Sequence, residues 1–402
     1  MVTACLVASL FPPEMQGGAE NYVLRVARAL DERGHTSVVV TTKPYDGRSS
    51  LTPELTSYEG VPVWRFFPAN VSHRSEGTGS NPVTKAIWHA LDAPNPHGAA
   101  AVRRVLDRVD PDVVHTNNLM GLSTLVGRMI QRRDVRHVHT LHDYSLVCPK
   151  SNLLRDLTAP DDELVVCDDP PLPCRAFARE KRAFFGTPDV VLSPSQHVLN
   201  VHAKHGFFND TERCRLQLGV EEVVDTVPDP PAEPSVLYAG KIHRAKGVFD
   251  LLDAADQLPE VHFDVCGKGA DSDALDSRAA RLDNVTYHRF VSEERLAELR
   301  RMSSVGVVPS IWMENSPYTI YESFAAGLPM IGSDIGGIPE LIEPGERGAL
   351  FAPNDPGDLV VTLSSVLADR ERLAEIQDNA VAWAREHMMS THLDRLIESF
   401  YT

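Results

Sequence analysis

Short apolar runs alternate with amphipathic segments along the first half of the chain. Residues 4–8 are apolar, as is typical of a strand buried on both faces, and residues 19–30 place Val23, Ala27 and Leu30 on one helical face. Further strand-like runs follow at 37–41, 113–116, 137–141 and 189–193. Strands that alternate with helices predict a mostly parallel sheet covered by helices.

The alternation stops in the middle of the chain and then starts again. Residues 206–234 hold few apolar runs and end in the Pro-rich VPDPPAEP, which is typical of a linker. A strand at 236–239 begins a second series. We predict two doubly wound α/β domains, residues 1–205 and 206–384, with a last helix at 385–402 that returns to the first domain. The cleft between two such domains is the expected ligand site.

Composition and charge exclude several classes of protein. Of the 402 residues, 43% are apolar and 24% charged, which is ordinary for a globular protein and unlike a disordered or coiled-coil chain. The net charge of −17 is concentrated in residues 201–402, so non-specific binding to nucleic acid is not expected. No apolar run reaches the roughly 18 residues of a membrane span, and no secretory signal is recognisable. With only six cysteines, these features predict a cytoplasmic protein.

The first segment that carries chemistry is GGAEN, which starts at Gly17 and Gly18 between a strand and a helix. Two glycines let the backbone approach a ligand closely. The first turn of a helix offers unpaired N–H groups and the positive end of its dipole, so a diphosphate would fit there. The alternative is a plain helix-entry turn.

The second segment is YAGKIHRAKG, which follows the first strand of the second domain. Gly240 gives the turn conformational freedom. Lys241 and Lys246 both lie at the same strand–helix junction. Two ammonium groups at about 4 Å from a diphosphate would each gain several kcal/mol at an effective dielectric of about 20. The alternative is a pair of solvated surface lysines, although lysine is scarce in this chain.

The third segment is PSIWMENSPYTIYESFAAGLP, in which Glu314 and Glu322 form an E-x7-E pair. If a helix starts at Tyr318, Glu322 lies in its first turns and Glu314 lies in the loop before it. Carboxylates there accept hydrogen bonds from sugar or ribose hydroxyls, and Asn315, Ser316 and Tyr318 offer backbone N–H groups. The alternative is a capped helix with solvated glutamates.

Together these segments resemble the family 4 retaining glycosyltransferases, which have the GT-B fold. The resemblance covers essentially the whole chain. Its strongest parts are GGAEN at 17–21, G-K-x4-K-G at 240–247, C-G-K-G at 266–269, E-x7-E at 314–322 and AAGLPMIGSDIGGIPELI at 325–342. The resemblance implies two Rossmann-like domains, the first for the acceptor and the second for the nucleotide-sugar donor. It also implies front-face attack without a protein nucleophile.

The resemblance assigns a role to each residue of the site. Lys241 and Lys246 would neutralise the departing diphosphate. Glu314 would hold the donor-sugar hydroxyls and Glu322 the ribose hydroxyls. The remaining donor-binding positions are Gly17, Gly18, Gly240, Gly267, Gly269, Asn315, Ser316, Pro317 and Tyr318. No metal or cofactor is implied, because the lysines do what a divalent ion would do.

Two positions depart from the family pattern. Lys241 stands where the family usually has arginine, which removes a bidentate fork but keeps the charge. Pro317 stands where many members have glycine. Because proline has no backbone N–H, one hydrogen-bonding group near the sugar of the donor is missing. Both changes leave the identity of the donor open.

One histidine is a further candidate for the site. His142 follows the strand-like run 137–141 in TLHDY, at the carboxyl end of a strand. In similar enzymes a histidine at this place contacts the donor sugar or its phosphate, and Asp143 is available to orient it. The alternative is a structural or solvated histidine. His115, after the preceding strand, is a weaker candidate for the acceptor side.

Two features of the first domain have a purely structural interpretation and a functional one. Cys148, Cys167 and Cys174 fall in one Pro- and Asp-rich segment that is expected to cover the acceptor side. Free thiols are favoured over zinc or a disulfide, because zinc usually takes four ligands at tighter spacing. Basic runs at 128–136 and 175–182 are interpreted as solvated helix faces, with contact to anionic lipid or a polyprenyl-phosphate acceptor as the alternative.

The sequence therefore predicts a retaining hexosyltransferase that moves a sugar from a nucleotide-diphosphate sugar to a glycan, lipid-linked or small-molecule acceptor. The expected setting is the synthesis of cell-surface polysaccharide or glycoconjugate, with peripheral membrane contact as an open alternative. Two other hypotheses are a same-fold enzyme that uses phosphate or a sugar phosphate as acceptor, and a non-catalytic nucleotide-sugar-binding protein. Donor hydrolysis by the purified protein separates an enzyme from a scaffold, which should give none.

Overall fold

The computed structural model describes residues 1–15, 17–78, 81–155, 165–227 and 229–401. These residues form two compact units. The first unit comprises Met1–Asn152, Asp168–Leu216 and Leu393–Thr402, and the second Leu153–Cys167 and Gln217–His392, each within its described residues. Each unit is built on its own sheet, and among the described residues no strand joins the two sheets. The predicted pair of separate α/β domains is confirmed.

Eight strands of the described residues form the first sheet. They are β1 (Thr3–Val7), β2 (Thr36–Thr42), β3 (Glu54–Tyr58), β4 (Val61–Phe66), β5 (Val113–Thr116), β6 (Arg136–Thr140), β7 (Val190–Ser193) and β8 (Glu212–Arg215). Their order is β3-β4-β2-β1-β5-β6-β7-β8, and every pair is parallel except β3 with β4 at one edge. Because β1 pairs with both β2 and β5, the direction of winding reverses between β1 and β5.

Six α-helices accompany this sheet in the described part of the chain before residue 216. They are α1 (Gly18–Glu32), α2 (Pro82–Asp92), α3 (Pro96–Val109), α4 (Leu125–Ile130), α5 (Leu172–Phe185) and α6 (Gln196–Lys204). The first of them buries Val23, Ala27 and Leu30, the face that the periodicity predicts. The first unit therefore has the doubly wound arrangement of a Rossmann-like domain.

In the part of the chain that the structure describes, six parallel strands form the second sheet. They are β9 (Ser235–Ala239), β10 (His262–Cys266), β11 (Val285–Arg289), β12 (Val305–Val308), β13 (Met330–Ser333) and β14 (Gly348–Phe351). Their order, β11-β10-β9-β12-β13-β14, is that of the Rossmann fold, with the reversal between β9 and β12.

The helices of the second unit cover this sheet with apolar faces. They are α7 (Val248–Gln257), α8 (Ser272–Ala279), α9 (Glu293–Met302), α10 (Tyr318–Ala325), α11 (Ile338–Ile342), α12 (Pro356–Ala368) and α13 (Arg370–Glu386). Leu251 and Leu252 of α7 and Leu359 of α12 join Val236 and Phe263 of the strands in one buried cluster.

The first unit runs past the predicted boundary at residue 205 and takes up the end of the described chain. Strand β8 pairs in parallel with β7, so it belongs to the first sheet. The predicted last helix at 385–402 is interrupted, because α13 ends at Glu386 and α14 spans Met389–Leu396. Residues 393–401 then lie in the first unit, where the Tyr401 hydroxyl hydrogen-bonds to His115 Nδ1 at 2.7 Å.

Buried histidines make the first unit sensitive to acid. Burial lowers the pKa of His137 to about 4, against the opposing effect of Asp189, and lowers the pKa of His202 to about 4 as well. An unfolded histidine has a pKa of about 6.5, so between pH 6.5 and 4 the unfolded state binds protons that the folded state does not. Stability must therefore fall as the pH falls through this window.

We expect the free energy of unfolding to drop by a few kcal/mol between about pH 7 and about pH 4.5. Urea denaturation at fixed ionic strength measures this pH slope. The slope should be shallower in His137→Gln, which lacks one of the two buried histidines. Equal slopes in wild type and His137→Gln would contradict the assignment.

Candidate active site

The carboxyl ends of β9 and β12 are where a doubly wound sheet of this order binds a ligand. The loop after β9 carries Gly240 to Gly247, and the loop after β12 leads to Glu314. The two loops touch: Ile311 N donates to Ala245 O at 2.9 Å. A Cβ added at Gly247, whose φ is +68°, would strike Pro309 O. The structure thus brings the second and third sequence segments together.

Three predicted glycines allow close packing of neighbouring loops. Gly267 has a φ of +140°, and a Cβ there would lie 1.8 Å from Gly240 O. A Cβ on Gly269 would lie 2.1 Å from Ile242 O. Gly240 N donates to Cys266 O at 3.0 Å, and a Cβ on Gly240 would lie 3.0 Å from the Tyr238 hydroxyl oxygen. These glycines have a structural reason of their own, and their contact with a nucleotide stays a prediction.

Glu314 is the centre of a compact polar cluster. Its carboxylate is buried, and Oε1 lies 2.5 Å from Lys246 Nζ. The same oxygen accepts hydrogen bonds from Ser310 Oγ at 2.7 Å and from Trp312 Nε1 at 2.9 Å. The Lys246 ammonium also lies 4.8 Å from the centre of the Trp312 ring. The cluster therefore joins the two strongest sequence candidates through one carboxylate oxygen.

Ser310 and Trp312 were not recognised as site residues from the sequence. Their place just before Glu314, in PSIWME, is the one signal that could have identified them. The cluster also affects Tyr238, whose hydroxyl donates to Lys241 O at 2.9 Å. Burial, reinforced by the Glu314 carboxylate, raises the pKa of Tyr238 well above its usual range. Tyr238 is therefore a neutral hydrogen-bond donor that shapes the loop after β9.

The loop after β13 fixes the backbone of Glu314. Gly337 N donates to Glu314 O at 2.9 Å. Gly336 has a φ of +62°, and a Cβ there would lie only 2.4 Å from the same carbonyl. This close approach explains the paired glycines of SDIGGIPE, which belong to the longest motif of the resemblance.

Helix α10 begins at Tyr318, as the sequence predicts, with Pro317 as the residue before its first turn. The side chains around the start of α10 hydrogen-bond to other groups of the same unit. Ser316 Oγ hydrogen-bonds to the Tyr321 hydroxyl at 2.7 Å, and the Tyr318 hydroxyl donates to Gly219 O. Asn315 is buried. Any contribution of these positions to ligand binding must therefore come chiefly from backbone N–H groups.

Glu322 is paired with an arginine that the sequence analysis missed. Arg300 Nη2, from α9, lies 2.5 Å from Glu322 Oε2. Arg300 is buried, whereas 32% of the Glu322 side chain is exposed. No sequence signal connects these two residues, because their separation in the chain has no regular spacing.

Glu322→Ala should therefore weaken the fold as well as any ligand contact, because it leaves the Arg300 guanidinium buried without a counter-charge. We expect a loss of about 1–3 kcal/mol in the free energy of unfolding, below the roughly 3–5 kcal/mol of a fully buried pair because solvent reaches Glu322. Urea denaturation measures it. Glu322→Gln keeps a hydrogen-bond acceptor and should lose less. Wild-type stability in Glu322→Ala would show that the pair is dispensable to the fold.

Lys241 does not join the Lys246–Glu314 cluster. Its side chain is exposed and makes no hydrogen bond or ion pair with the residues that the structure describes. Of the two predicted lysines, Lys246 alone is held in place by the protein.

In the first unit, Gly17 and Gly18 mark the start of α1. Gly17 N donates to Oε2 of the buried Glu20 at 2.9 Å. A Cβ added at Gly17 would meet only that carboxylate, at 4.0 Å, and one added at Gly18 would meet no described atom within 4 Å. The φ of Gly17 is −164°, which any residue adopts. The fold itself therefore does not require glycine at either position, which suits close approach by a ligand.

His142 is oriented by an asparagine and not by the neighbouring aspartate. His142 Nε2 lies 2.8 Å from Asn117 Oδ1, and its ring lies 5.1 Å from that of Tyr22. Asp143 instead accepts from Ser145 N at 2.8 Å and lies 3.9 Å from Arg74. Burial lowers the pKa of His142 to about 4, with Asp143 opposing the shift. The imidazole is therefore neutral at physiological pH.

Two other expectations for the first unit are corrected. His115 lies inside β5, fully buried, and its Nε2 hydrogen-bonds to Thr140 Oγ1 at 2.6 Å, so it does not face an acceptor.

Lys181 of the second basic run is not solvated. It is 1% exposed and lies 2.7 Å from Asp92 Oδ2. The other Asp92 oxygen accepts from Gly121 N at 2.7 Å, so the pair supports the loop after β5.

The cysteine-containing segment is described only in part, since residues 156–164 lie outside the described residues. Its flanks pair with each other, as Arg155 N donates to Val165 O at 3.0 Å. All six cysteines are free thiols. Over the described ranges, no group of three or more His, Cys, Asp or Glu side chains is arranged to hold a metal ion. No helix in the described part of the chain is both long and apolar enough to cross a membrane.

Comparison with known proteins agrees with this architecture. The two Rossmann-like units have the GT-B fold of glycosyltransferases. A model of the "Glycosyl transferase 4-like domain" matches residues 17–213, and a model of "Glycosyl transferases group 1" matches residues 221–383. The chain belongs to the group 1 glycosyltransferases, with a family 4-like first domain.

Individual relatives are distant but cover most of the chain. An uncharacterised 42.6 kDa protein in the cps region of Klebsiella pneumoniae is 26% identical, over 84% of this chain and 86% of its own. A D-inositol 3-phosphate glycosyltransferase of Geodermatophilus obscurus is 29% identical, over 95% of this chain and 83% of its own length. The Anabaena protein HepE in complex with UDP-glucose superposes with a TM-score of 0.68 at 17% identity, over 99% of each chain.

Proposed function

We propose that this glycosyltransferase retains anomeric configuration and transfers a hexose from a nucleotide-diphosphate sugar to a glycan, lipid-linked or small-molecule acceptor. The observation that carries the proposal is the Lys246–Glu314 pair at the carboxyl ends of β9 and β12. A cation and a buried carboxylate at the reversal point of a doubly wound sheet suit a ligand that has both a diphosphate and sugar hydroxyls.

In this proposal the second unit binds the donor. The Lys246 ammonium stabilises the negative charge that grows on the diphosphate as the glycosidic bond breaks. Glu314 accepts hydrogen bonds from donor-sugar hydroxyls, while Ser310 and Trp312 keep its carboxylate in place. The backbone N–H groups at the start of α10 add partial positive charge. Lys241, whose side chain is exposed, joins the diphosphate when the donor binds.

The first unit contributes the acceptor side and two donor contacts. Gly17 and Gly18 let the diphosphate approach the first turn of α1. The neutral His142 ring, oriented by Asn117, contacts the donor sugar or its phosphate as a hydrogen-bonding group and not as a cation. No metal ion is needed in this proposal, because Lys246, Lys241 and the helix amides supply the positive charge.

UDP-hexoses are the first donors to test, since the structurally similar Anabaena protein binds UDP-glucose. The acceptor proposed first is a glycan or lipid-linked sugar in cell-surface polysaccharide or glycoconjugate synthesis. The second candidate is a sugar or cyclitol phosphate, and the relative named as a D-inositol 3-phosphate glycosyltransferase favours it.

The test begins with thermal shift of the full chain against UDP-, GDP-, ADP- and dTDP-sugars, since a bound ligand raises apparent stability. The best donor is then incubated alone and with acceptor mixtures, and released nucleoside diphosphate is measured. NMR of the product gives its anomeric configuration. Retention supports the proposal. Inversion contradicts the mechanism, and binding without hydrolysis or transfer indicates a nucleotide-sugar-binding protein.

A further inference from the structure

Arg300 is a buried cation whose only described hydrogen-bond partner is Glu322. It is 7% exposed, and its Nη2 donates to Glu322 Oε2 at 2.5 Å. Its Nε is buried and has no hydrogen-bond partner in the described structure. The guanidinium is therefore committed to this one carboxylate.

The fold gives little reason for a charge at this place. Burying a guanidinium removes its hydration, and a single carboxylate partner offsets this cost only in part. Apolar side chains of similar volume are often equally stable in such positions. The residue beside it, Leu299, packs in an apolar cluster with Leu237, Cys266 and Leu328. The reason for the charge therefore lies in what it does to Glu322.

We propose that Arg300 is a positioning residue, which fixes the Glu322 carboxylate for the ribose hydroxyls of the nucleotide; this inference rests on the proposed function. Arg300 holds Oε2 from the protein side, while about a third of the Glu322 side chain faces solvent. A carboxylate has about four lone-pair sites and the bond to Arg300 occupies one, so the solvent-facing part of the Glu322 carboxylate can accept hydrogen bonds from hydroxyls. A carboxylate that is already fixed loses less conformational entropy when the ligand binds.

The test compares a ribonucleoside diphosphate with its 2′,3′-dideoxy form, because only the former carries the hydroxyls in question. UDP, ADP and GDP are titrated into the full chain by calorimetry, and the tightest of them is used with its dideoxy form. The variants are Arg300→Gln and Arg300→Lys. The matched control is Arg347→Gln, which removes another buried guanidinium of the same unit, paired with Glu343 at 2.7 Å. Urea denaturation first shows which variants fold.

Wild type should bind the ribo form at least about tenfold more tightly than the dideoxy form. Arg300→Gln should lose most of this preference, with about tenfold weaker binding of the ribo form and unchanged binding of the dideoxy form. Arg300→Lys should keep part of it. The KM for the donor should rise in Arg300→Gln while kcat stays within about twofold. Arg347→Gln should keep the wild-type ratio.

A folded Arg300→Gln that keeps the wild-type preference overturns the proposal. An equal loss of affinity for both forms also overturns it, because that result marks a general structural effect. If Arg300→Gln does not fold, Arg300→Lys decides: a fall of the ratio by at least about threefold supports the proposal, and an unchanged ratio overturns it. If the wild-type protein binds the ribo and dideoxy forms equally well, Glu322 does not bind the ribose hydroxyls and this inference is wrong. A wild-type protein that binds no nucleoside diphosphate contradicts the proposed function itself.

Discussion

Lys246→Ala should transfer sugar at least about a hundredfold more slowly than wild type, because one preorganised charge at a leaving group typically contributes about 10²–10³ in rate. The interaction strengthens as the diphosphate departs, so kcat should fall together with kcat/KM. The free energy of unfolding should fall by no more than about 2 kcal/mol, since Ser310 and Trp312 still hydrogen-bond to Glu314. Steady-state kinetics with the identified donor and urea denaturation measure the two effects.

A second lysine–glutamate pair provides the control for Lys246. Lys43 lies 3.1 Å from Glu54 in the first unit, and its side chain is about as exposed as that of Lys246. Lys43→Ala removes a lysine of similar exposure from an ion pair whose glutamate is exposed, and it should leave kcat near wild type. Near-normal kcat/KM in Lys246→Ala would remove the leaving-group role, and with it the main support for the proposed donor site.

Gly18→Leu should abolish most donor turnover without unfolding the protein. No atom of the described residues lies within 4 Å of the place where the new side chain would begin, so packing should not suffer. If the diphosphate approaches this helix start, the leucine fills its place. Displacing a donor by about 1 Å is enough to cost roughly a hundredfold in rate. The measurement is kcat/KM for the donor, together with the urea midpoint.

Gly357→Leu is the matched control, because Gly357 also lies in the first turn of a helix, α12 of the second unit. A Cβ there would meet only the Asp355 carboxylate, at 3.3 Å. This variant should keep a near wild-type kcat/KM, with a small fall of the urea midpoint because the capping Asp355 side chain must shift. Full activity in a folded Gly18→Leu would exclude the diphosphate from the start of α1.

Features that depend on local spacing could be predicted from the sequence. The buried face of α1, the restart of the strand–helix pattern and the start of α10 at Tyr318 all follow from periodicity or helix-start signals in a few neighbouring residues. The boundary at residue 205 was wrong for a related reason. Strand β8 has the sequence ERCR, and charged residues of this kind protect an exposed sheet edge but resemble a loop in the sequence.

Contacts between distant residues could not be predicted in this way. Arg175, Arg179 and Arg182 have the i, i+4, i+7 spacing of one exposed helical face, and all three are exposed. Lys181 belongs to the same basic run in the sequence but lies on the opposite face of α5, where it meets Asp92. Arg300, which binds Glu322, and Asn117, which binds His142, lie far from these partners in the chain and carry no motif of their own.

The return of residues 393–401 to the first unit affects the order in which the protein can fold during synthesis. The ribosome releases the whole of β9 to α13 before Tyr401 emerges, so the second unit can fold while the first is still incomplete. Until then His115, deep in the first sheet, lacks the Tyr401 hydroxyl. A premature stop late in the message therefore damages the unit that was translated first.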